Sequence, residues 1–330
     1  MSIDWNNLGF EYMDTNCHVK YTWKNGSWNK GEKVTDPYIN LHIGATSLHY
    51  GQACFEGLKA FRGADGKIRI FRADENSKRM NSSARRTQMP EVPEEIFIEA
   101  VKTAVKENIE FVPPYESGGA LYIRPLLIGS GPRIGIQPAD EYSFIVLAIP
   151  VGNYYKGGLK PVPAVIVNGY DRTAAGGTGS VKVAGNYAAS LEPQKIAKEK
   201  GFPINLYLDA KEHKYIDEFG TSNFIALSGN KYITPKSDSI LPSITNKSLM
   251  TIAEDMGMTV ERRPVEISEI VNFDSIGACG TAVVITPVSE IHHGEEVYKV
   301  GDGTVHPQLH ELYDRIIAIQ RGKAEDKFNW

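Results

Sequence analysis

The sequence predicts an α+β protein of two domains, with mixed sheets and flanking helices. Three observations carry this reading. Apolar runs rich in β-branched residues are interspersed with helical patterns, without strict βα alternation. The chain has 330 residues, enough to build two cores. A glycine- and proline-rich break, "GNYYKGGLKPVPA", lies near its middle. The break places a small N-terminal domain over 1–152, an interdomain linker over 153–164 and a larger domain over 165–330.

Each element has its own signal. "FEGLKAFR" and "KIRIF" flank the turn "GADGK", which is a hairpin pattern. "DENSKRMNSSARR" has polar, helix-compatible spacing. In "PEEIFIEAVKTAVKENIEFV", Ile96, Ala100, Val101, Ala104, Val105 and Ile109 recur at helical spacing after a proline and two acids. "ALYIRPLLIG" and "YSFIVLAIPVG" read as buried strands. Beyond the break, "INLYLDA", "YIDEFG", "NFIAL" and "KYIT" read as short strands joined by tight turns. "SITNKSLMTIAEDMGM" reads as a helix with Ser243 as N-cap and Gly257 as its stop. "GTAVVITPV" reads as a strand and "QLHELYDRIIAIQRG" as a C-terminal helix.

Composition bounds the function. A formal charge of −4 leaves no broad cationic surface, so no nucleic-acid partner is expected. No apolar run reaches about 18 residues, so no membrane span is expected. The N-terminus lacks the pattern of a signal peptide. Cys17, Cys54 and Cys279 are widely spaced and odd in number, which suits a reducing cytoplasm rather than a disulfide or zinc framework. His292 and His293 are adjacent and would point to opposite faces of an extended segment, so no metal site is expected.

The chemistry centres on "GGTGSVKVAGNYAAS", where Lys182 lies between Val181 and Val183. A desolvated lysine has its charged form disfavoured and becomes a nucleophile able to form a Schiff base. Taken alone, the segment reads more simply as a strand-edge lysine whose head reaches water. It is not a phosphate-binding loop, because Val183 follows the lysine where serine or threonine is required. Other segments point to an anionic cofactor. "LPSITNKSL" leads into a helix, so the amides of Ile244 and Thr245 lie at its positive end. "CGTAV" offers Thr281 and adjacent amides, and equally reads as a plain turn. "DEFGTSN" puts Glu218 before a glycine turn. A Schiff-base lysine, a phosphate cradle and a carboxylate together suit pyridoxal 5′-phosphate.

The chain resembles the branched-chain amino acid aminotransferases of the fold-type IV pyridoxal-phosphate enzymes. The resemblance runs through "LHYGQACFEGLKAFRG", "SKRMNSSARR", "LYIRPLLIGSG", "IPVGNYYKGG", "SVKVAGNYAASL", "IDEFGTSNF", "ILPSITNKSL" and "GACGTAVVITPV", in that order along nearly the whole length. It implies that Lys182 is the Schiff-base and proton-transfer residue and that Glu218 pairs with the pyridine nitrogen. Arg79, Ile244, Thr245 and Thr281 would hold the phosphate, Tyr187 the phenolic oxygen, and Leu241 the ring face. Tyr12, Tyr50, Phe55, Tyr122 and Tyr154 would wall an apolar pocket, with Arg124 for the distal carboxylate of glutamate. Thr281 and Ala282 would take the substrate α-carboxylate. The implied reaction moves the amino group of L-leucine, L-isoleucine or L-valine to 2-oxoglutarate, in a homodimer or higher homo-oligomer.

Two departures and two alternatives accompany the resemblance. Asn246 stands where relatives commonly show arginine, and Ser243 where they show glycine; the first is expected to alter the outer phosphate shell. Val283 and Thr286 occupy the positions of a redox cysteine pair found in some mammalian relatives, so that regulation is not expected. Within the fold, a D-amino acid aminotransferase or an aminodeoxychorismate lyase shares the lysine and glutamate. Outside it, a non-catalytic scaffold or a nucleotide-binding protein could use the glycine-rich loop.

Overall fold

The structure, a computed structural model, describes residues 3–152 and 158–330. The chain forms two compact units. Unit 1 comprises Met1–Tyr154, Val181–Gly185 and Ala318–Trp330, and unit 2 comprises Tyr155–Ser180 and Asn186–Ile317.

Unit 1 is built on an antiparallel sheet of β1 (His18–Lys24), β2 (Ser27–Trp28), β3 (Glu32–Val34), β4 (Ala53–Phe55), β5 (Leu58–Arg62), β6 (Ile68–Ile70), β7 (Ala120–Gly129) and β8 (Glu141–Val151). The strand order is β2-β1-β8-β7-β5-β6, with β3 on β1 and β4 on β7. The predicted hairpin is present, with Phe61 opposite Arg69. β7 and β8 are the predicted apolar runs, and β8 is buried along most of its length. Besides the short α1 (Thr46–Tyr50), this unit holds α2 (Ala73–Arg86) and α3 (Glu94–Glu107). α3 buries Phe97, Ala100, Val101, Ala104 and Val105, the i, i+3, i+4, i+7, i+8 stripe of an amphipathic helix. That stripe packs on β1, β7 and β8.

Unit 2 is built on β9 (Val162–Ile166), β10 (Ile204–Leu208), β11 (Ile216–Phe219), β12 (Asn223–Ser228), β13 (Lys231–Pro235), β14 (Thr259–Arg263), β15 (Ser275–Gly280), β16 (Val284–His293) and β17 (Glu296–Lys299). The order is β11-β10-β9-β16-β15-β12-β13-β14, and β11 also pairs with β12. That extra pairing joins six strands into a ring. Its seam matches Glu218 with Asn223. The helices in this half of the chain are α4 (Ala184–Ala189), α5 (Leu191–Glu199), α6 (Ile244–Asp255) and α7 (Pro307–Gln320). Ser243 caps α6 by accepting from the Asn246 amide at 3.2 Å. Gly257, at φ +76°, follows the helix end in the left-handed conformation that glycine tolerates.

The predicted boundaries need three corrections. β9 begins at Val162, inside the expected 153–164 linker, because Val162–Ile166 finds parallel partners in both β10 and β16. Val181–Gly185 and Ala318–Trp330 belong to unit 1 rather than to a 165–330 domain. Backbone bonding explains the first of these: Phe55 donates to the Lys182 carbonyl at 3.1 Å, and Cys54 bridges to Val183. Arg321 explains the second, donating to the carbonyls of Tyr115 and Gly118. "GTAVVITPV" is not one strand. Thr281–Val283 form the turn of a hairpin closed by Gly280 opposite Val284, and the strand starts at Val284.

Candidate active site

In unit 1 the site starts from the segment that holds Lys182. Its amide donates to Ser83 Oγ at 2.9 Å, and its carbonyl accepts from Phe55. Ser83 is one helical turn beyond Arg79 on α2, so one helix face serves both residues. Lys182 Nζ sits 4.7 Å from the centroid of the Phe55 ring. Arg124 Cζ lies 4.7 Å from the same centroid and 5.2 Å from that of Tyr122. Arg124 Nη2 donates to Tyr122 Oη at 3.0 Å, while Arg124 Nε is buried without a partner among the described residues. Phe10 packs edge-on against Tyr122, centroids 4.7 Å apart. Four predicted residues, Lys182, Phe55, Tyr122 and Arg124, thus form one cluster of aromatic rings and two cations, an arrangement favoured by the ring quadrupoles.

The cluster depends on Gly57. A Cβ there would lie 2.1 Å from Tyr122 Oη, so a side chain at this position displaces the phenol that Arg124 uses. Arg79 is held by the residue just before Gly57. Glu56, fully buried, accepts from Arg79 Nε at 2.8 Å and Nη2 at 2.7 Å, and from Asn76 at 2.7 Å. A bidentate pair of this kind fixes the guanidinium plane.

The other predicted substrate residues are elsewhere in unit 1. Tyr12 is exposed and lines an apolar cavity of about 200 Å³ with Cys17, His18 and Leu147. Tyr50 is exposed and its hydroxyl donates to the Ile134 carbonyl. Tyr154 lies outside the described residues.

In unit 2, Glu218 lies at the ring seam and is 3% exposed. Its Oε1 accepts from the Leu241 amide at 2.9 Å and lies 2.6 Å from Arg172 Nη2; its Oε2 accepts from Asn223 Nδ2 at 2.7 Å. Arg172 is also buried, and its Nη2 donates to the carbonyls of Gly179 at 2.5 Å and Ser239 at 2.6 Å. Burial pushes the Glu218 carboxyl above the usual carboxylate range; Arg172, the Leu241 amide and Asn223 oppose the rise without cancelling it. A carboxylate has about four lone-pair positions; the Leu241 amide takes one on Oε1, beside the Arg172 charge, and Asn223 takes one on Oε2. The remaining one on Oε2 suits a ligand N–H. Leu241 is buried, and its backbone brackets the pair, donating to Glu218 and accepting from Asn223.

The N-terminus of α6 has spare donors. Ser243 takes the Asn246 amide, and the amides of Ile244 and Thr245, both in buried residues, have no acceptor among the described residues. Helix N-termini with free amides hold phosphate groups. Thr281 is half-buried and Ala282 exposed, on the turn before Val284; Val284 has φ +64°, an uncommon conformation for a β-branched residue. Tyr187 is half-buried on α4. Glu218 thus presents an open acceptor and the start of α6 presents amide donors, while Arg79 is fixed by the buried Glu56. The donor set fits pyridoxal 5′-phosphate: a lysine amine, a buried carboxylate with one open acceptor, and helix-end amides.

Sequence reasoning missed Glu56, Ser83, Gly57, Arg172 and Asn223. Glu56 carries a faint signal as a lone acid in the apolar run "ACFEGL"; Arg172 in "GYDRTAAGG" carries none. Asn246, whose place in the usual arginine position is expected to alter the outer phosphate shell, lies in the first turn of α6. Its side chain points into the Glu218 network, donating to Asn223 Oδ1 at 3.3 Å.

A closed six-strand ring bearing a buried acid in one unit, and a lysine-bearing strap on an antiparallel sheet in the other, define a class, and comparison names it. The family model "Amino-transferase class IV" matches residues 53–291, and the chain belongs to that family. Among individual proteins, it is 48% identical to the branched-chain-amino-acid aminotransferase of Haemophilus influenzae, covering 99% of this chain and 98% of that one. It is 46% identical to the enzyme of the same name from Helicobacter pylori, covering 100% and 97%. A solved branched-chain amino acid aminotransferase of T.th., with pyridoxamine 5′-phosphate, superposes at a TM-score of 0.80 with 26% identity, covering 94% of this chain and 97% of that one.

Proposed function

We propose that this protein is a pyridoxal 5′-phosphate-dependent aminotransferase that moves the amino group of L-leucine, L-isoleucine or L-valine to 2-oxoglutarate, giving branched-chain 2-oxo acids and L-glutamate. The observation that carries the specificity is the shared ring of Phe55, with the Lys182 amine and the Arg124 guanidinium each 4.7 Å from its centroid. An apolar wall with one cation in reach serves two side chains in turn, a hydrocarbon and a carboxylate.

The cofactor supplies an electron sink that makes the Cα proton of a bound amino acid removable. Lys182 holds it and carries the proton at Nζ. Glu218 accepts at the pyridine nitrogen. Arg79, Ile244, Thr245 and Thr281 hold the phosphate, Tyr187 the phenolic oxygen, and Leu241 supports the ring. Phe55, Tyr122, Tyr12, Tyr50 and Tyr154 shape the substrate pocket, Arg124 binds the glutamate side chain, and Thr281 with Ala282 takes the α-carboxylate.

A half-reaction assay tests this. Mixed with L-leucine, the loaded protein is expected to lose its visible cofactor band, and D-alanine is expected to leave the band intact; conversion by D-alanine alone would sink the reading. In Arg124→Leu, the rate with L-glutamate is expected to fall about 10–100-fold while the rate with L-leucine changes little, the loss typical of a charge-assisted contact. Equal loss with both substrates would remove Arg124 from the glutamate role.

The protein is also proposed to work in the cytoplasm as a homodimer or higher homo-oligomer. No described helix is long and apolar enough to cross a membrane, and all three cysteines are free and buried. Unit 1 exposes the large apolar side chains of Tyr38, Ile43, Leu48, Ile134 and Ile136, which a second copy of the chain would cover. Cell fractionation and sedimentation are expected to place it in the soluble fraction at about two or more times its 36.5 kDa chain mass; a monomer would contradict this.

A further inference from the structure

Glu218 is one end of a buried polar chain that the reaction described above does not use. Asn223 Nδ2 donates both to Glu218 Oε2 at 2.7 Å and to the Leu241 carbonyl at 3.1 Å. Asn223 Oδ1 accepts from Asn246 Nδ2 at 3.3 Å. The same Nδ2 donates to Thr234 Oγ1 at 2.9 Å, and Thr234 donates onward to the Phe224 carbonyl at 2.9 Å. Asn246 Oδ1 accepts from Tyr232 Oη at 2.7 Å. Asn223, Thr234, Asn246 and Tyr232 are all buried.

The direction of this chain is fixed. The Leu241 and Phe224 carbonyls can only accept. Asn223 must therefore present its amide NH₂ to Glu218, and Thr234 must present its lone pairs to Asn246. A flipped Asn223 would set its NH₂ against that of Asn246 and its carbonyl oxygen against the Glu218 carboxylate, two repulsive contacts in a dry site. Burial holds the Tyr232 phenol well above its ordinary range, so it stays a donor. Three charged or ionisable groups also bear on Glu218: Arg172, Asp217 and Cys279. Of these, Cys279 also bears on Tyr232, at the far end of the chain.

We propose that Asn246 is a positioning residue that, through Asn223, keeps Glu218 presented as an acceptor and so sets the protonation of the cofactor's pyridine nitrogen. The inference rests on the reading of Glu218 as the partner of that nitrogen. It gives Asn246 a role at the acid rather than at the phosphate.

The test is ¹⁵N NMR of the holoenzyme loaded with ring-¹⁵N pyridoxal 5′-phosphate, titrated with pH. In Asn246→Leu, a near-isosteric change without a donor, the midpoint for losing the ring-nitrogen proton is expected to fall by about one pH unit. Tyr232→Phe, which removes a single hydroxyl, is expected to shift it in the same direction by less, and decides the matter if the leucine variant does not fold. Glu218→Gln runs alongside. If Glu218→Gln moves the resonance and neither relay variant does, the role of Asn246 is overturned while that of Glu218 stands. If Glu218→Gln also leaves it unmoved, the partner assignment itself fails.

Discussion

Arg172→Met is expected to lower the stability of the cofactor-free protein by about 3–5 kcal/mol near pH 8, the usual cost of stranding one member of a buried ion pair. Both partners are buried, at 8% and 3% exposure, and Arg172 is the cation in contact with Glu218. The penalty should depend on pH with a definite sign. The Glu218 carboxyl is already raised above its ordinary 4.5, and losing Arg172 raises it further. The folded state then keeps a proton that the unfolded chain releases, so stability falls as pH rises through that window and is recovered below it. Melting temperatures of parent and variant should therefore converge toward pH 5 and diverge toward pH 8. An equal gap at both pH values would mean that the loss comes from the Gly179 and Ser239 carbonyl contacts rather than from Glu218.

Lys182→Ala is expected to slow the L-leucine half-reaction by about 10²–10⁴-fold, the range for loss of a positioned proton carrier. Borohydride should no longer fix the cofactor to the chain. The fold should survive, because the bonds that seat this segment come from the Lys182 amide and carbonyl. The side chain adds a cation–ring contact worth about 0.5–1 kcal/mol. A variant that still fixes cofactor on reduction would move the covalent role to another lysine.

Much of the architecture is legible in the sequence because it is written in periodicity. α3 announces itself through its apolar stripe, and β7 and β8 through runs that are buried on both faces. α5 has no comparable signal; only Pro193 and Ala197 are buried in it, so its sequence carries little of a helical stripe. β15, "SIGACG", is built of small residues and has no strand signature. The site divides in the same way. Lys182, Glu218 and the α6 amides follow from segments with a chemical reason to exist. Arg172, Asn223 and Arg79 meet their carboxylates across 46, 5 and 23 positions of chain. A partner supplied by tertiary folding leaves no local mark. Asn246 shows the risk of reading a departure by its neighbours in sequence. It lies one position after the threonine proposed for the phosphate, yet its side chain joins the network of the buried acid.

The path of the chain also has a consequence for synthesis. Unit 1 takes residues from three separate stretches, the last being Ala318–Trp330, where Trp330 stacks on Phe328, meets Phe71 edge-on and lies under Arg72. A nascent chain that has reached residue 154 holds the whole first sheet but neither the lysine strap nor this closing segment. The sheet must wait, partly uncovered, while the ribosome makes the entire second unit. Chaperone demand during translation should therefore fall on the first half of the chain, and a fusion or tag that displaces residues 318–330 disturbs the unit that was synthesised first.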